Sequence, residues 1–209
     1  GAVLLYLRTD LLEMLRSLRP GGDMSQRRMI AMLAVATLPV VMAGYVVNSL
    51  DPSLLTGLPT LTVANLVFAA LLWHADRSRA LVRQIGHMRF GSAIIIGFAQ
   101  CLALIPGASR SGVTMTAARY LGFERLAAAR FSLLLSIPAI AGAGLLKGAD
   151  IVAEGDVALG IDAALVCLLS FGFALAAIGW MMRWLARADF RIFVWYRIGL
   201  GIVLLGAIS

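Results

Sequence analysis

Charge is scarce in this chain of 209 residues, with Asp, Glu, Lys and Arg supplying 14% of the side chains where a soluble domain carries roughly a quarter. Hydrophobic residues make up 61% and the mean hydropathy is +0.91, which excludes an ordinary soluble domain and places the chain in a membrane. Strict apolar/polar alternation is also lacking, which excludes a membrane β-barrel, since a barrel strand needs a period of two. Lysine is almost absent: Lys147 stands alone against 17 arginines. The net charge of +7 would raise nucleic acid as a partner in a soluble protein. Here the arginines lie in short segments between apolar runs, so they read as topology signals and nucleic acid is excluded. The two cysteines, Cys101 and Cys167, fall inside apolar runs and read as small hydrophobes, not as a disulfide or a thiolate site. The two histidines, His74 and His87, are 13 residues apart on a basic loop with only Asp76 nearby. That spacing gives no ligand cluster, so they read as solvated loop residues and no metal ligand is assigned.

What is present in abundance is apolar sequence in runs long enough to cross ~30 Å of hydrocarbon at ~1.5 Å per residue. The reading is one all-α transmembrane domain over 1–209, with spans at about 29–50, 60–75, 128–147, 157–182 and 190–209. Gly1 to Leu7 reads as the cut end of a further span, and the polar stretch Arg8 to Arg28 as an amphipathic connection. Segment 90–121 is interrupted by Pro106-Gly107, a turn signal in the middle of an apolar run. The positive-inside rule decides how to read it. If it crosses the membrane, the arginine-rich segments fall on both sides. If it enters and returns as a re-entrant helical hairpin, 16 of the 18 basic residues are cytoplasmic, Lys147 alone is outside and Arg110 is left at the tip. The hairpin is therefore expected. The spans before and after it then run in opposite senses, an inverted-repeat plan whose first hairpin would precede Gly1. Pro39 and Pro138 read as helix-kinking prolines within spans.

The chain's polar chemistry concentrates at the tip, Pro106-Gly107-Ala108-Ser109-Arg110-Ser111-Gly112-Val113-Thr114. A helix beginning near Ser111 or Gly112 would present free backbone N–H groups, which favour an anion. Ser109, Ser111 and Thr114 add hydroxyls, and Arg110 adds a planar fork suited to phosphate oxygens. An arginine inside a membrane is a functional site by default. The competing reading, in which Arg110 snorkels and the small residues only allow close packing, does not account for so many anion donors at one point.

These residues resemble the PGxSRSxxT signature of the undecaprenyl-diphosphate phosphatase (bacitracin-resistance) family. The flanks Gln100-Cys101-Leu102-Ala103-Leu104, Phe131-Ser132-Leu133-Leu134 with Pro138, and Tyr196-Arg197 are similar to it as well. The resemblance implies inverted repeats with two re-entrant hairpins in the bacterial inner membrane. It implies hydrolysis of undecaprenyl diphosphate to the monophosphate at a site open to the periplasmic side, recycling a cell-wall carrier lipid. Arg110, Ser109 and Thr114 then become the candidate catalytic residues, and Ser111, Gly107, Gly112 and Gln100 the candidate substrate-binding ones. It further implies a divalent cation, Mg²⁺ or Ca²⁺, whose ligands lie in a glutamate-rich first motif ahead of Gly1, so that these residues alone are expected to be inactive. Its partners would be a polyprenyl diphosphate and membrane lipids, and a homodimer is admitted.

A transporter or flippase of a phosphorylated lipid is the alternative, since broken helices at the midplane are also a transporter plan. Asp156 and Asp162 read as water-facing or capping residues, and Arg197 as a snorkelling residue near the inner interface. The topology is checked by cysteine-accessibility labelling in intact cells. Positions 92 and 123 are expected to be shielded from an impermeant reagent and position 209 to react. Labelling of position 123 from outside would mean that 90–121 crosses the membrane.

Overall fold

The computed structural model describes residues 1–49, 57–77, 82–154 and 157–207, with side chains for 1–47, 57–77, 82–142 and 165–207. Lys147, read above as lying outside, and Asp156 and Asp162, read as water-facing or capping, lie outside the described side chains. The described residues form α1 (Ala2–Tyr6), α2 (Arg8–Ser17), α3 (Met24–Ser49), α4 (Leu58–Arg77), α5 (Phe90–Cys101), α6 (Arg110–Tyr120), α7 (Arg125–Glu154), α8 (Val157–Leu185) and α9 (Arg191–Gly206). Among them the only β-type pairing is one bridge between Arg83 and Phe123. The molecule is an all-α polytopic membrane protein. Among the described residues four stretches are long and apolar enough to span: Met24–Val47, Leu58–Arg77, Arg125–Gly142 and Leu165–Leu185. In a membrane only a helix or a closed barrel satisfies its own backbone, so long apolar runs have no other stable form.

The outer faces of these helices are apolar because lipid is their solvent: Leu38, Val41 and Met42 on α3, and Leu165, Leu168, Leu169 and Phe173 on α8, are all exposed. The protein interior is a core of Ile96, Phe123, Phe131, Leu134, Leu135 and Phe190. Small residues let helices approach closely. Gly97 on α5 lies against the backbone of Ala36 on α3 with no room for a Cβ. Pro39 and Pro138 lie inside α3 and α7, where each removes one backbone donor.

Helices α5 and α6 are the two limbs of a hairpin that runs alongside α4. At its base, Arg119 of α6 meets Asp76 near the end of α4 at 2.8 Å. At its tip, Gly107 rests on the backbone of Leu61 near the start of α4. Leu61 and Asp76 are separated by about 22 Å of helix at 1.5 Å per residue, which gives the depth of the hairpin. The 12 residues of α5 rise only about 18 Å, short of a membrane's hydrocarbon thickness.

Asp76 fixes the base. Its carboxylate accepts from Arg119 and from Arg125 Nε, both at 2.8 Å, and from the backbone N–H of Phe190 at 3.2 Å. One acid thus ties α4 to α6, α7 and the start of α9. His74 lies within α4, not in a loop as the sequence suggests, and its Nδ1 is 2.8 Å from the Tyr120 hydroxyl. The helix continues past the apolar run because its last turn is stapled to the hairpin base. His87 closes a short turn instead, its Nδ1 accepting from the N–H of Gln84 at 3.1 Å. On the N-terminal side, the pairing of Asp10 with Arg130 joins α2 to α7.

Asp76→Ala would leave Arg119, 3% exposed, as an uncompensated buried charge, a change that typically costs about 3–5 kcal/mol. Asp189→Ala breaks a pair whose arginine is 62% exposed and should cost under ~1 kcal/mol. Thermal unfolding in detergent is expected to show a large drop in Tm for the first variant and almost none for the second.

Candidate active site

The tip is built by a sharp turn. A short 3-10 segment, Leu102–Leu104, ends α5, and the N–H of Ala108 donates to the carbonyl of Ile105 at 3.1 Å across Pro106-Gly107. Proline sets the first corner of such a turn and glycine the second, where φ is positive. Gly107 has φ 90, and a Cβ there would collide with the backbone of Leu61.

The next residues start α6 one or two positions earlier than the sequence suggests. Ser109 is the N-cap, with Arg110 as the first helical residue, and Ser109 Oγ accepts from the N–H of Gly112 at 3.3 Å. Ser109 reaches this position with φ 64 and ψ 107. A positive φ in a non-glycine residue stores strain of the kind found at functional sites.

That earlier start, with Ser109 capping, sets which way each side chain faces. Ser109, Ser111, Gly112 and Met115 line a cavity of about 540 Å³ with Leu61, Asn65, Leu72, Phe193, Arg197 and Leu200. Arg110 and Thr114 face α7 instead. Thr114 is 1% exposed; its hydroxyl pairs with Ser132 Oγ at 2.7 Å and reaches the carbonyl of Arg110 at 3.0 Å. Arg110 is half-buried and donates from Nη1 to the carbonyl of Ser136 at 3.3 Å, one turn further along α7. The expected single cradle is therefore divided between two faces of one helix turn. Gln100 is buried on α5 away from the cavity lining, and its Nε2 has no partner.

Two residues that carry the tip were misjudged or passed over in the sequence. Arg197 does not snorkel. It is 7% exposed and donates from Nη2 to the carbonyls of Gly107 and Ala108 at 2.8 and 3.1 Å. Its Nε donates to Asn65 Oδ1 at 3.0 Å, and Asn65 Nδ2 donates back to the carbonyl of Arg197 at 2.7 Å. Helix breakage frees the tip carbonyls, and a buried carbonyl without a donor is costly enough to hold the guanidinium inside. The signal for Asn65 was its position as the one amide in the apolar α4.

Among the described residues neither Arg110 nor Arg197 has a carboxylate partner. Arg110 makes a single long hydrogen bond, and Arg197 Nη1 is buried with none. Charged groups within a membrane are normally paired, so this end of the cavity is suited to an anion. The implied divalent ion finds no donor set: no carboxylate or imidazole lines the cavity, and among the described residues no three of His, Cys, Asp and Glu converge.

Fold and tip together define a polytopic helical membrane protein whose hairpin tip carries two arginines without a carboxylate partner among the described residues. The chain belongs to the family described as bacitracin resistance protein BacA, whose model matches residues 1–203. It is 40% identical to the undecaprenyl-diphosphatase of Ruegeria pomeroyi over 213 residues, covering 99% of this chain and 79% of that protein. It is 42% identical to undecaprenyl-diphosphatase 1 of Rhodospirillum rubrum over 210 residues, covering 98% and 74%. The undecaprenyl-diphosphatase of Chromohalobacter salexigens is likewise 42% identical, with 98% and 79% covered.

Gly107→Ala is expected to displace the tip, because it combines a strained φ with a collision against backbone that has no flexible end to yield. Circular dichroism should show the helices retained, while a cysteine placed at position 109 changes its labelling rate. An unchanged rate would mean that the turn tolerates a side chain.

Proposed function

We propose that this chain is an undecaprenyl-diphosphate phosphatase, hydrolysing the diphosphate to undecaprenyl phosphate and inorganic phosphate. The observation that carries this reading is the pair of arginines at the tip without a carboxylate partner, beside a cavity whose remaining walls are apolar. A prenyl diphosphate has the same division, an anionic head on a hydrocarbon chain.

Cleavage of the bond between the terminal phosphorus and the bridging oxygen leaves charge on the equatorial oxygens and on the departing monophosphate. Arg110 has most of its guanidinium donors uncommitted and sits at the first turn of α6, where the free N–H groups favour negative charge. It would stabilise the phosphoryl oxygens as that charge develops. Its position is fixed beforehand by the seam to α7, so little reorganisation is needed at the moment of reaction. Thr114 and Ser132 act here as positioning residues that hold α6 against α7. Ser109 and Ser111 lie on the cavity side as hydroxyl donors to the substrate. The family resemblance adds a divalent ion, held by residues of the first motif, and a homodimer.

The re-entrant reading of 90–121 is supported by the short α5 and by a hairpin that returns to its starting end. The tip at Leu61 and the arginine-rich base at Asp76 lie at opposite ends of α4. With the base cytoplasmic, the tip lies toward the periplasmic face, and the site opens there. A flippase would bind the same lipid without releasing phosphate, so phosphate release separates the two readings.

In the purified full-length protein, which includes the first motif that the resemblance places ahead of Gly1, Arg110→Lys is expected to be nearly as damaging as Arg110→Ala. A lysine supplies charge without the fork, and losing one preorganised donor of this type costs about 10²- to 10³-fold in rate. Turnover of a short-chain prenyl diphosphate measures it. Near wild-type kcat in the lysine variant would reduce Arg110 to a point charge.

A further inference from the structure

The two arginines do not face the same space, and the cavity reaches only one of them. Arg197 lies in its wall with Ser109, Ser111 and Gly112, whereas Arg110 lies on the α7 side of the same helix turn. Arg197 Nη1 is buried without a partner although the rest of its fork is fully used. It sits over Gly112, where an added Cβ would lie 2.8 Å from Nη1 and 3.2 Å from Ser109 Oγ. Gly112 thus lets a charged donor and a hydroxyl close over the start of α6, where any side chain would collide with them. Away from them the cavity is lined by Leu72, Met115, Met181, Phe193 and Leu200. An uncompensated donor at the polar end of an otherwise apolar cavity fits a phosphate esterified to a hydrocarbon chain.

We propose that Arg197, with Ser109 and Ser111, forms a separate subsite for the phosphate that carries the prenyl chain, the chain lying along the apolar wall, while Arg110 takes the terminal phosphate on the other face of α6. This rests on the phosphatase reading and adds to it an orientation for the substrate. A diphosphate whose chain enters the cavity meets Arg197, Ser109 and Ser111 with its ester-linked phosphate. Its terminal phosphate, one bridging oxygen further on, then reaches across the α6 N-terminus toward Arg110. The product monophosphate keeps only the first of these contacts, and inorganic phosphate only the second.

That difference is the basis of the test. Binding of farnesyl monophosphate and of inorganic phosphate is measured by calorimetry on the purified protein in nanodiscs, without turnover. Arg197→Gln is expected to weaken farnesyl monophosphate about 10- to 100-fold, the usual range for losing a hydrogen bond to a charged group, and to leave inorganic phosphate unchanged. Arg110→Ala is expected to do the reverse. Because Arg197 also holds the tip carbonyls, Ser111→Ala and Leu200→Trp serve as variants outside that latch. Ser111 is exposed, and Leu200 lies on the apolar wall. Both should weaken farnesyl monophosphate alone, and they decide the matter if Arg197→Gln does not fold. Equal weakening of the two probes, or weakening of neither, in the folded variants would overturn the separate subsite. Failure of the full-length wild-type protein, first motif included, to release phosphate from a prenyl diphosphate would overturn the hydrolase reading instead, and the binding measurements would still report on the subsite.

Discussion

A helix broken inside a membrane must find partners for the backbone groups it releases, and the structure at the hairpin tip follows from that constraint. Hydrocarbon offers no hydrogen-bond donors, and an unsatisfied carbonyl costs several kcal/mol. Arg197 meets the need with one planar fork, binding two successive tip carbonyls while its Nε is held by Asn65. A lysine has no plane and no fixed angle between donors, so it cannot hold two carbonyls and an amide in one geometry. The same bonds clamp the tip between α4 and α9. The positive charge at the hairpin tip therefore follows from how the break is sealed.

The other end of the hairpin is organised by the opposite charge. Asp76 gathers Arg119, Arg125 and the N–H of Phe190, so the base arginines share a carboxylate, whereas among the described residues the tip arginines have none. The hairpin is a rigid lever between these two anchors. A fixed, desolvated cation without a carboxylate partner is expensive to maintain.

The all-α membrane architecture is legible in composition, because long apolar runs without alternation admit little else. The tip motif is legible too, since proline and glycine mark the break and Ser-Arg-Ser marks the chemistry. The division of that motif between two faces is not. It depends on the helix beginning at Arg110 instead of Ser111 or Gly112, and each residue of phase turns a side chain by about 100°. Arg197 was hidden for a different reason. Its partners, Asn65 and the carbonyls of Gly107 and Ala108, are 132, 90 and 89 residues away, and one arginine near the end of a span is indistinguishable from a snorkelling one. His74 was misplaced for the same reason, as its partner Tyr120 lies on another helix.

The clamped tip also bears on the choice between carrying a lipid and cleaving it. A carrier must expose its site to one side and then the other, which requires a bound headgroup to move with the elements that hold it. Here the α6 N-terminus is fixed to α4 and α9 through Arg197, and to α7 through Thr114–Ser132 and Arg110–Ser136. Rocking any one of these helices would break a polar contact that holds the tip. Catalysis makes the contrary demand, that donors be in place before charge develops. A tip that cannot move cheaply suits that demand, and it favours phosphoryl transfer at a stationary headgroup over its transport.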